Sequence, residues 1–265
     1  MKKPIKIEFV CIGNNGRSPI LEEVCRDEAK KMGLNDNVQI VSSGLYVNGR
    51  HSFDILAETM KKVIDNATDI PCEKIYGDKA ALIKEILATP EIEAKYENDP
   101  EFRKNFLFYF DQAYRVLKAN DVVYRNDVLA LHGLEHKTEQ RQFPLFEERD
   151  ITNKDSEGIS LVFNPIDESS TGKQKDRYII TATKSLVQPA IEMAKKSVSS
   201  IMSKRKDSMH EFYEGEISAV VTSVEQFTRI PDLKGGFGKL DINFYERLYE
   251  SAKQAAPIVL KKVME

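Results

Sequence analysis

A strand, a glycine-containing loop and a helix follow one another near the start of this chain, and they constrain its fold more than any other stretch. The apolar residues from Ile5 to Val10 favour a strand, and the segment from Ile20 to Met32 favours a helix. The loop between them reads Cys11-Ile12-Gly13-Asn14-Asn15-Gly16-Arg17-Ser18-Pro19. In such a unit the backbone N–H groups of the loop and the positive end of the helix dipole point into one concavity. The sequence therefore predicts a binding site for a phosphate-like dianion.

Two side chains of this loop suggest its chemistry. Cys11 opens the loop and Arg17 closes it. Backbone N–H groups and a guanidinium stabilise a thiolate, so a thiol in this position ionises more readily than an ordinary cysteine. The planar fork of Arg17 can bind two phosphoryl oxygens at once. We therefore predict that Cys11 is a nucleophile and that Arg17 binds the phosphoryl group. The alternative is that Cys11 is a buried structural thiol at the end of a strand.

The loop resembles the phosphate-binding loop of the low-molecular-weight protein tyrosine phosphatases. The residues that carry the resemblance are Cys11, Gly13, Asn14, Arg17, Ser18 and Pro19, with an acidic helix start at Glu22 and Glu23. The resemblance implies that the backbone amides from Ile12 to Ser18, including those of Asn15 and Gly16, bind the phosphoryl oxygens. It also implies that the Ser18 hydroxyl stabilises the thiolate when it leaves.

A second strand is predicted from Val38 to Val41, and it leads into Ser42-Ser43-Gly44-Leu45-Tyr46. This segment resembles the one that follows the second strand of the same family. The resemblance implies that the Ser43 hydroxyl orients Asn14. The aromatic wall of the substrate pocket could come from Tyr46, from Phe237 or from an insertion.

A cysteine-dependent phosphatase also needs an acid that protonates the leaving group and then activates water. In the resembled family this acid is an Asp in an Asp-Pro pair shortly before the last helix, and Asp232 occupies that place here. The alternative is an ordinary turn Asp after a proline. Leu233 replaces the proline, and Lys234 and Gly235 replace aromatic residues, so a less rigid loop is expected. Gly16 replaces a second cysteine of the loop that could form a protective disulfide with Cys11.

The remaining segments predict an α/β fold. We expect a four-stranded parallel sheet wound on both faces by helices, with strand order 2-1-3-4 and the site at the carboxyl ends of the strands. The third strand is assigned to Asp127–Leu131 and the fourth to Ile217–Val221. A final helix is predicted from Ile242 to Val263.

Two insertions are expected in a single domain that spans residues 1–265. The first, residues 67–120, is predicted to be helical, with aromatic side chains on a packing face. The second, residues 147–215, is predicted to contain a hairpin and helices. Its hairpin pairs Ile159–Asn164 with Tyr178–Thr183, and a basic helix runs from Lys184 to Arg205.

The composition is typical of a globular chain. Of 265 residues, 41% are hydrophobic and 31% are charged, and the formal net charge is -3 at pH 7. This charge gives no reason to expect nucleic acid or an anionic membrane as a partner. No apolar run approaches the length of a membrane span, and the N-terminus lacks the apolar core of a signal peptide. A cytoplasmic location is therefore expected.

Neither a disulfide framework nor a metal or other cofactor is expected. The three cysteines, Cys11, Cys25 and Cys72, are too few and too scattered for a framework. His132 and His136 have the spacing of neighbours on a helix, but Gly133 lies between them, so a solvated face is favoured over a metal site.

These features predict a phosphomonoester hydrolase that acts on phosphotyrosine through a phosphocysteine intermediate. Its partner would be a phosphorylated protein or a small phosphomonoester. One alternative is a thiol-dependent arsenate reductase, although that relay needs two more cysteines near the loop. The other is a non-catalytic module that binds phosphorylated ligands.

Overall fold

The structure is a computed structural model of the chain. It describes residues 4–47, 53–65, 67–137, 139–144, 152–153, 163–164, 177–208, 215–216, 219–231, 233, 239 and 241–265. The chain divides into two compact units. The first unit consists of Met1–Val47, Leu129–Lys234 and Glu246–Glu265, and the second of Asn48–Val128 and Gly235–Tyr245.

The strands of the described residues all belong to the first unit. They are β1 (Ile5–Cys11), β2 (Val38–Gly44), β3 (Thr152–Asn153), β4 (Phe163–Asn164), β5 (Arg177–Thr181), β6 (Gly215–Glu216) and β7 (Ala219–Ser223). Five of them form one sheet in the order β2-β1-β5-β7-β4, and each pairing in this sheet is parallel. β3 and β6 form a separate antiparallel pair. The predicted α/β fold and the order 2-1-3-4 are confirmed for the four longer strands, and β4 adds a short edge.

The helices include one near the N-terminus, five between β2 and β3, and three after β5. They are α1 (Arg17–Lys31), α2 (Phe53–Ile64), α3 (Cys72–Tyr76), α4 (Ala80–Leu87), α5 (Ile92–Asn98), α6 (Pro100–Leu131), α7 (Val187–Ser208), α8 (Val224–Thr228) and α9 (Ile242–Met264). Short 3-10 turns precede α4 and α7, at Gly77–Lys79 and Lys184–Leu186. The predicted first, basic and final helices are confirmed. In the described part of the chain, no helix has both the length and the hydropathy of a membrane span.

The central strand β1 is buried along its whole length. A parallel sheet with helices against its faces buries both sides of its strands, and this explains the nearly continuous apolar run. Val10, Ile179 and Val221, from three neighbouring strands, pack with Ala190 and Ala194 of α7. Helix α1 contacts β1 and β2. This core holds the carboxyl ends of the strands in fixed positions.

Two strand predictions are wrong. Asp127–Leu131, predicted as the third strand, is the last part of helix α6. A short apolar run does not distinguish a strand from a buried helix, and α6 contains no glycine that would end it earlier. Gly133, at a φ of 71°, follows the helix end. The third strand of the sheet is β5, which pairs in parallel with β1 on one side and β7 on the other.

The predicted hairpin in the second insertion is replaced by parallel pairing. Because β1 and β7 occupy both edges of β5, the residues of β5 have no free edge for a hairpin partner. Phe163–Asn164 pairs with β7 instead. The rest of Ile159–Asn164 lies outside the described residues.

The second unit has its own apolar core. Its fully buried side chains come from several helices and include Leu56, Met60, Ile83, Phe106 and Leu117. Phe106 also contacts the rings of Phe53 and Tyr96, so the aromatic residues form a packing face.

Candidate active site

The loop between β1 and α1 begins at Cys11, the last residue of β1, and leads to Arg17, the first residue of α1. Asn14, in its middle, has a φ of 53°. Asparagine tolerates this left-handed conformation better than most residues with a side chain. The strand and the helix on either side therefore hold the predicted nucleophile and the predicted phosphoryl-binding residue at opposite ends of a tight turn.

The sulfur of Cys11 accepts two hydrogen bonds. The backbone N–H of Asn14 donates to Sγ at 3.2 Å, and the Ser18 hydroxyl oxygen lies 3.0 Å from Sγ. Both donors stabilise negative charge on sulfur. The Ser18 oxygen also lies 3.2 Å from the carbonyl oxygen of Ser43, so its hydrogen can turn to either acceptor. Cys11 is 3% exposed, which keeps bulk water away from most of its surface.

Asn14 connects the loop to the elements behind it. Its Nδ2 group donates to the hydroxyl oxygens of Ser18 at 3.0 Å and Ser42 at 2.8 Å. Its Oδ1 accepts from the backbone N–H of Arg141 at 3.0 Å. These bonds fix an amide that is 1% exposed and hold the left-handed turn in place.

The contact predicted for Ser43 is made by Ser42 instead. Alternate residues of a strand point to opposite faces, so a shift of one position exchanges the two faces. The Ser43 hydroxyl donates to the Glu8 carboxylate at 2.6 Å. Ser43 meets the loop through its carbonyl oxygen, which lies near the Ser18 hydroxyl.

Glu22 lies behind the loop and has no exposed surface. Its carboxylate accepts from the Ser42 hydroxyl at 2.5 Å, and Nη2 of Arg141 donates to both of its oxygens, at 2.7 and 2.8 Å. Arg26 pairs with it at 2.5 Å. Sequence reasoning missed Arg141, because nothing in the local pattern connects it with a loop so far away along the chain.

Glu22, Glu23 and His136 form a group that could hold a metal ion, judged by distance alone. Arginine side chains already neutralise these carboxylates: Arg26 pairs with both, and Arg141 pairs with Glu22. The group therefore favours an ion-pair network over a metal site. Nδ1 of His136 lies 2.7 Å from Glu23.

The predicted solvated histidine face is not formed. Both histidines lie beyond the end of α6, so the spacing of four residues does not place them on a helix. His136 is buried against Glu23, while His132 stacks on Tyr249 and lies 2.9 Å from Glu246.

Gly44 allows β2 to approach the loop closely. A Cβ atom at this position would lie 2.7 Å from the backbone nitrogen of Asn14 and 2.9 Å from the Ile12 oxygen. The two residues that follow make backbone bonds to the loop: Leu45 donates to the Cys11 carbonyl at 3.0 Å, and Tyr46 to the Ile12 carbonyl at 2.9 Å. Tyr46 is half-buried and packs against the core cluster that contains Val10, Leu45 and Phe143.

The segment Gln140–Phe143, which we call the strap, lies along the other side of Gly44. The Gly44 N–H donates to the Arg141 carbonyl at 2.8 Å, and the Phe143 N–H donates to the Gly44 carbonyl at 2.8 Å. The Gln140 side chain donates to the Gly13 carbonyl at 2.7 Å and also contacts Oδ1 of Asn15. The strap thus supports the loop from outside the predicted anion site.

Arg17 contacts a segment from the far end of the chain. Its Nη1 donates to the carbonyl oxygen of Leu233 at 3.2 Å. The Leu233 N–H in turn donates to the carbonyl of Ala182, just after β5, at 3.1 Å, and the side chain is 2% exposed. A proline at this position would have no N–H to donate. Asp232, the residue before it, lies outside the described residues.

The chain was compared with known proteins. The family model for low molecular weight phosphotyrosine protein phosphatases matches residues 6–74. No curated protein matches the chain. Among solved structures, the Drosophila arginine phosphatase DARP is 12% identical, with 97% of each chain covered and a TM-score of 0.45. A mutant of YwlE from Bacillus subtilis is 15% identical, with a TM-score of 0.43 and coverage of 98% of this chain and 99% of its own.

A third solved structure is Wzb of Vibrio vulnificus in complex with benzylphosphonate, which is 12% identical, has a TM-score of 0.42 and covers 97% of this chain and 98% of its own. The residues matched by the family model include β1 from Lys6 onward, the loop from Cys11 to Arg17, α1 and β2. The resemblance of this chain to the low-molecular-weight protein tyrosine phosphatases is thus confirmed for the elements that form the loop.

Proposed function

We propose that this protein hydrolyses phosphomonoesters, with phosphotyrosine residues of proteins as its substrates, through a phosphocysteine intermediate. The observation that supports this most directly is the pair of donors on the Cys11 sulfur, at 3.2 and 3.0 Å, in a loop that ends at Arg17. The match to a phosphatase family over residues 6–74 supports phosphatase activity.

In the first step the Cys11 thiolate attacks phosphorus. A sulfur–phosphorus bond forms while the bond from phosphorus to the leaving oxygen breaks. Arg17 and the backbone amides from Ile12 to Ser18 bind the other phosphoryl oxygens, including the charge that develops on them. Asp232, as a carboxylic acid, gives its proton to the leaving oxygen.

In the second step water attacks the phosphorus of phosphocysteine, and the Asp232 carboxylate takes one of its protons. The sulfur–phosphorus bond breaks, which releases phosphate and regenerates the thiolate. The Ser18 hydroxyl can donate to the departing sulfur, because its oxygen already lies 3.0 Å from Sγ. This donor makes sulfur a better leaving group.

The contacts of Leu233 support the assignment of Asp232 as the acid. Leu233, the next residue in the chain, is hydrogen-bonded both to Arg17 and to Ala182, the residue just after β5. A buried leucine with a bonded N–H is one way to anchor this segment without the proline of the resembled family. Tyr46, a half-buried residue whose backbone N–H donates to the Ile12 carbonyl, is the proposed aromatic wall for a phenyl ring.

The two other cysteines argue against arsenate reduction. Cys25 has no exposed surface and burial raises the pKa of its thiol, and burial likewise raises the pKa of Cys72. A thiol relay needs sulfurs that can become thiolates and reach each other. A reader of phosphorylated ligands would bind the same anion but would not turn it over.

The test is the hydrolysis of an aryl phosphate and a phosphotyrosine peptide by the full chain and by Cys11→Ser. We expect turnover by the native chain, none by Cys11→Ser, and phosphate binding by both. Cys25→Ala is the matched control, since it removes a thiol that the mechanism does not use. Full activity in Cys11→Ser would disprove the mechanism, and tight peptide binding without turnover by the native chain would identify a reader.

A further inference from the structure

The carbonyl groups of the loop accept hydrogen bonds from outside the loop, and one of these bonds has no role in the proposed mechanism. A loop whose N–H groups converge on an anion must turn its carbonyl groups outward, and each buried carbonyl needs a donor. Backbone N–H groups serve three of them: Leu45 bonds to Cys11, Tyr46 to Ile12, and Ile20 to Gly16, at 3.0, 2.9 and 3.1 Å. Leu45 and Tyr46 follow directly after β2, and Ile20 belongs to helix α1.

The Gly13 carbonyl is served by a side chain instead. Nε2 of Gln140 donates to it at 2.7 Å and also contacts Oδ1 of Asn15. The next residue of the strap, Arg141, gives its backbone N–H to Oδ1 of Asn14 at 3.0 Å. Two consecutive strap residues therefore hold three consecutive loop residues, with the left-handed Asn14 in the middle.

We propose that Gln140 is a positioning residue that keeps the loop in its anion-binding shape. This inference rests on the proposed function, since it concerns the same loop. Gln140 acts from behind, through Gly13 and Asn15, and does not touch the substrate.

Such support is needed because the anion-binding conformation of the loop is unfavourable in free energy when no anion is bound. N–H groups that converge on one point repel each other when no anion is present, so the binding shape is disfavoured unless outside contacts hold it. One amide that bonds on both sides of Asn14 supplies such contacts. Without them the loop would spend part of its time in other shapes, and the apparent affinity for anions would fall by the fraction lost.

The strap also provides a matched control. Gln142 is the same residue type on the same segment. Its side chain donates to the carbonyls of Leu45 at 2.6 Å and Phe143 at 3.2 Å, and it accepts from the Val47 N–H at 3.0 Å. It therefore holds the segment after β2 and leaves residues 13 to 15 untouched.

The experiment measures inorganic phosphate binding by calorimetry in the Cys11→Ser background, with Gln140→Met and Gln142→Met added singly. Methionine has nearly the length of glutamine but no donor. We expect Gln140→Met to weaken phosphate binding by about three- to tenfold, the effect of losing one or two ordinary hydrogen bonds. Gln142→Met should stay within about twofold of the parent, even if both variants melt at similarly lower temperatures.

In the Cys11 enzyme, Gln140→Met should lower kcat/KM by a similar factor for aryl phosphates with good and poor leaving groups, because the loop holds the phosphoryl group and not the leaving oxygen. Unchanged phosphate affinity in Gln140→Met would overturn the proposal, and so would an equal loss in Gln142→Met. If Gln140→Met does not fold, Gln140→Ala takes its place with the same expectations.

Failure of the proposed function looks different. Phosphate binding that depends on Gln140, in a chain that hydrolyses no phosphomonoester, would preserve this inference and refute the hydrolase. A native chain that hydrolyses aryl phosphates while its Cys11→Ser variant binds no phosphate would overturn this inference and leave the hydrolase standing.

Discussion

The carboxylate of Glu22 and the guanidinium of Arg141 form an ion pair with nitrogen–oxygen distances of 2.7 and 2.8 Å behind the phosphate loop. Glu22 also accepts from Ser42, which binds Asn14, and the Arg141 backbone binds Asn14 directly. The four residues close a ring of hydrogen bonds. A change at Arg141 should therefore affect both stability and the loop.

Arg141→Lys should weaken this ring. Lysine carries one compact charge and can replace only part of the contact made by the guanidinium, while Arg26 continues to neutralise Glu22. We expect a loss of about 1–3 kcal/mol in the free energy of unfolding, measured with urea, and weaker phosphate binding. Lys137→Ala, which breaks the exposed pair with Glu135, should cost less than about 1 kcal/mol. Equal stability of Arg141→Lys and the native protein would show that the ion pair is not needed.

Gly44→Ala should push β2 and the loop apart. The added Cβ would lie 2.7 Å from the Asn14 nitrogen, so the backbone has to move. Overpacking of this kind costs about 1–3 kcal/mol, and we expect kcat/KM to fall by about tenfold or more, since small displacements of a catalytic group have effects of that order.

The control for this change is Gly33→Ala. Gly33 has a φ of 69° and open space around its Cβ position, so alanine there should lower stability by about 1–2 kcal/mol through backbone strain alone. Its kcat/KM should remain that of the native chain. A normal rate in Gly44→Ala would contradict the close approach of β2 to the loop.

Asp232→Asn should slow substrates according to their leaving groups. The amide cannot give up a proton, so alkyl and unsubstituted phenyl phosphates should lose about 10²–10⁴-fold in rate. A nitrophenolate needs little protonation and should lose less. Asp241→Asn is the control, because that carboxylate accepts the Asn243 N–H at the start of α9. An equal loss for all leaving groups would remove the acid role from Asp232.

The Cys25 thiol should make stability depend on alkaline pH. Burial raises its pKa in the folded chain above the ordinary value of 9.0. The unfolded chain therefore releases this proton above pH 9 while the folded chain keeps it, and stability falls as the pH rises further. The slope contributed by one such group approaches about 1.4 kcal/mol per pH unit.

Urea unfolding at pH 7, 8, 9 and 10 can measure this slope. The native protein should lose stability more steeply above pH 9 than Cys25→Ala, while the two should run parallel between pH 7 and 8. Parallel curves up to pH 10 would mean that Cys25 ionises equally easily in both states.

The centre of the candidate site could be predicted from one short stretch of sequence. Cys11, Asn14, Arg17 and Ser18 belong to one strand–loop–helix unit, so their contacts follow from a single short stretch. The order of the four longer strands was predicted as well, although the third was placed at Asp127–Leu131. Periodicity could not exclude a helix there, and only the pairing of Arg177–Thr181 with both neighbours identifies the true strand.

The supporting contacts could not be predicted, for two physical reasons. Gln140, Arg141 and Leu233 meet the loop across long stretches of chain, and such meetings depend on the packed fold. Ser42 and Ser43 differ by one strand position, and the face that each presents depends on a register that a single sequence does not define.

The loop is supported by residues that are made late in synthesis. A ribosome adds Cys11 to Arg17 first, the strap more than a hundred residues later, and Leu233, the partner of Arg17, later still. A nascent chain would thus carry the sulfur and the arginine long before it could hold them in place. Under the proposed function, hydrolysis should begin only after the segment that contains Leu233 has emerged, so products truncated before that residue would be inert.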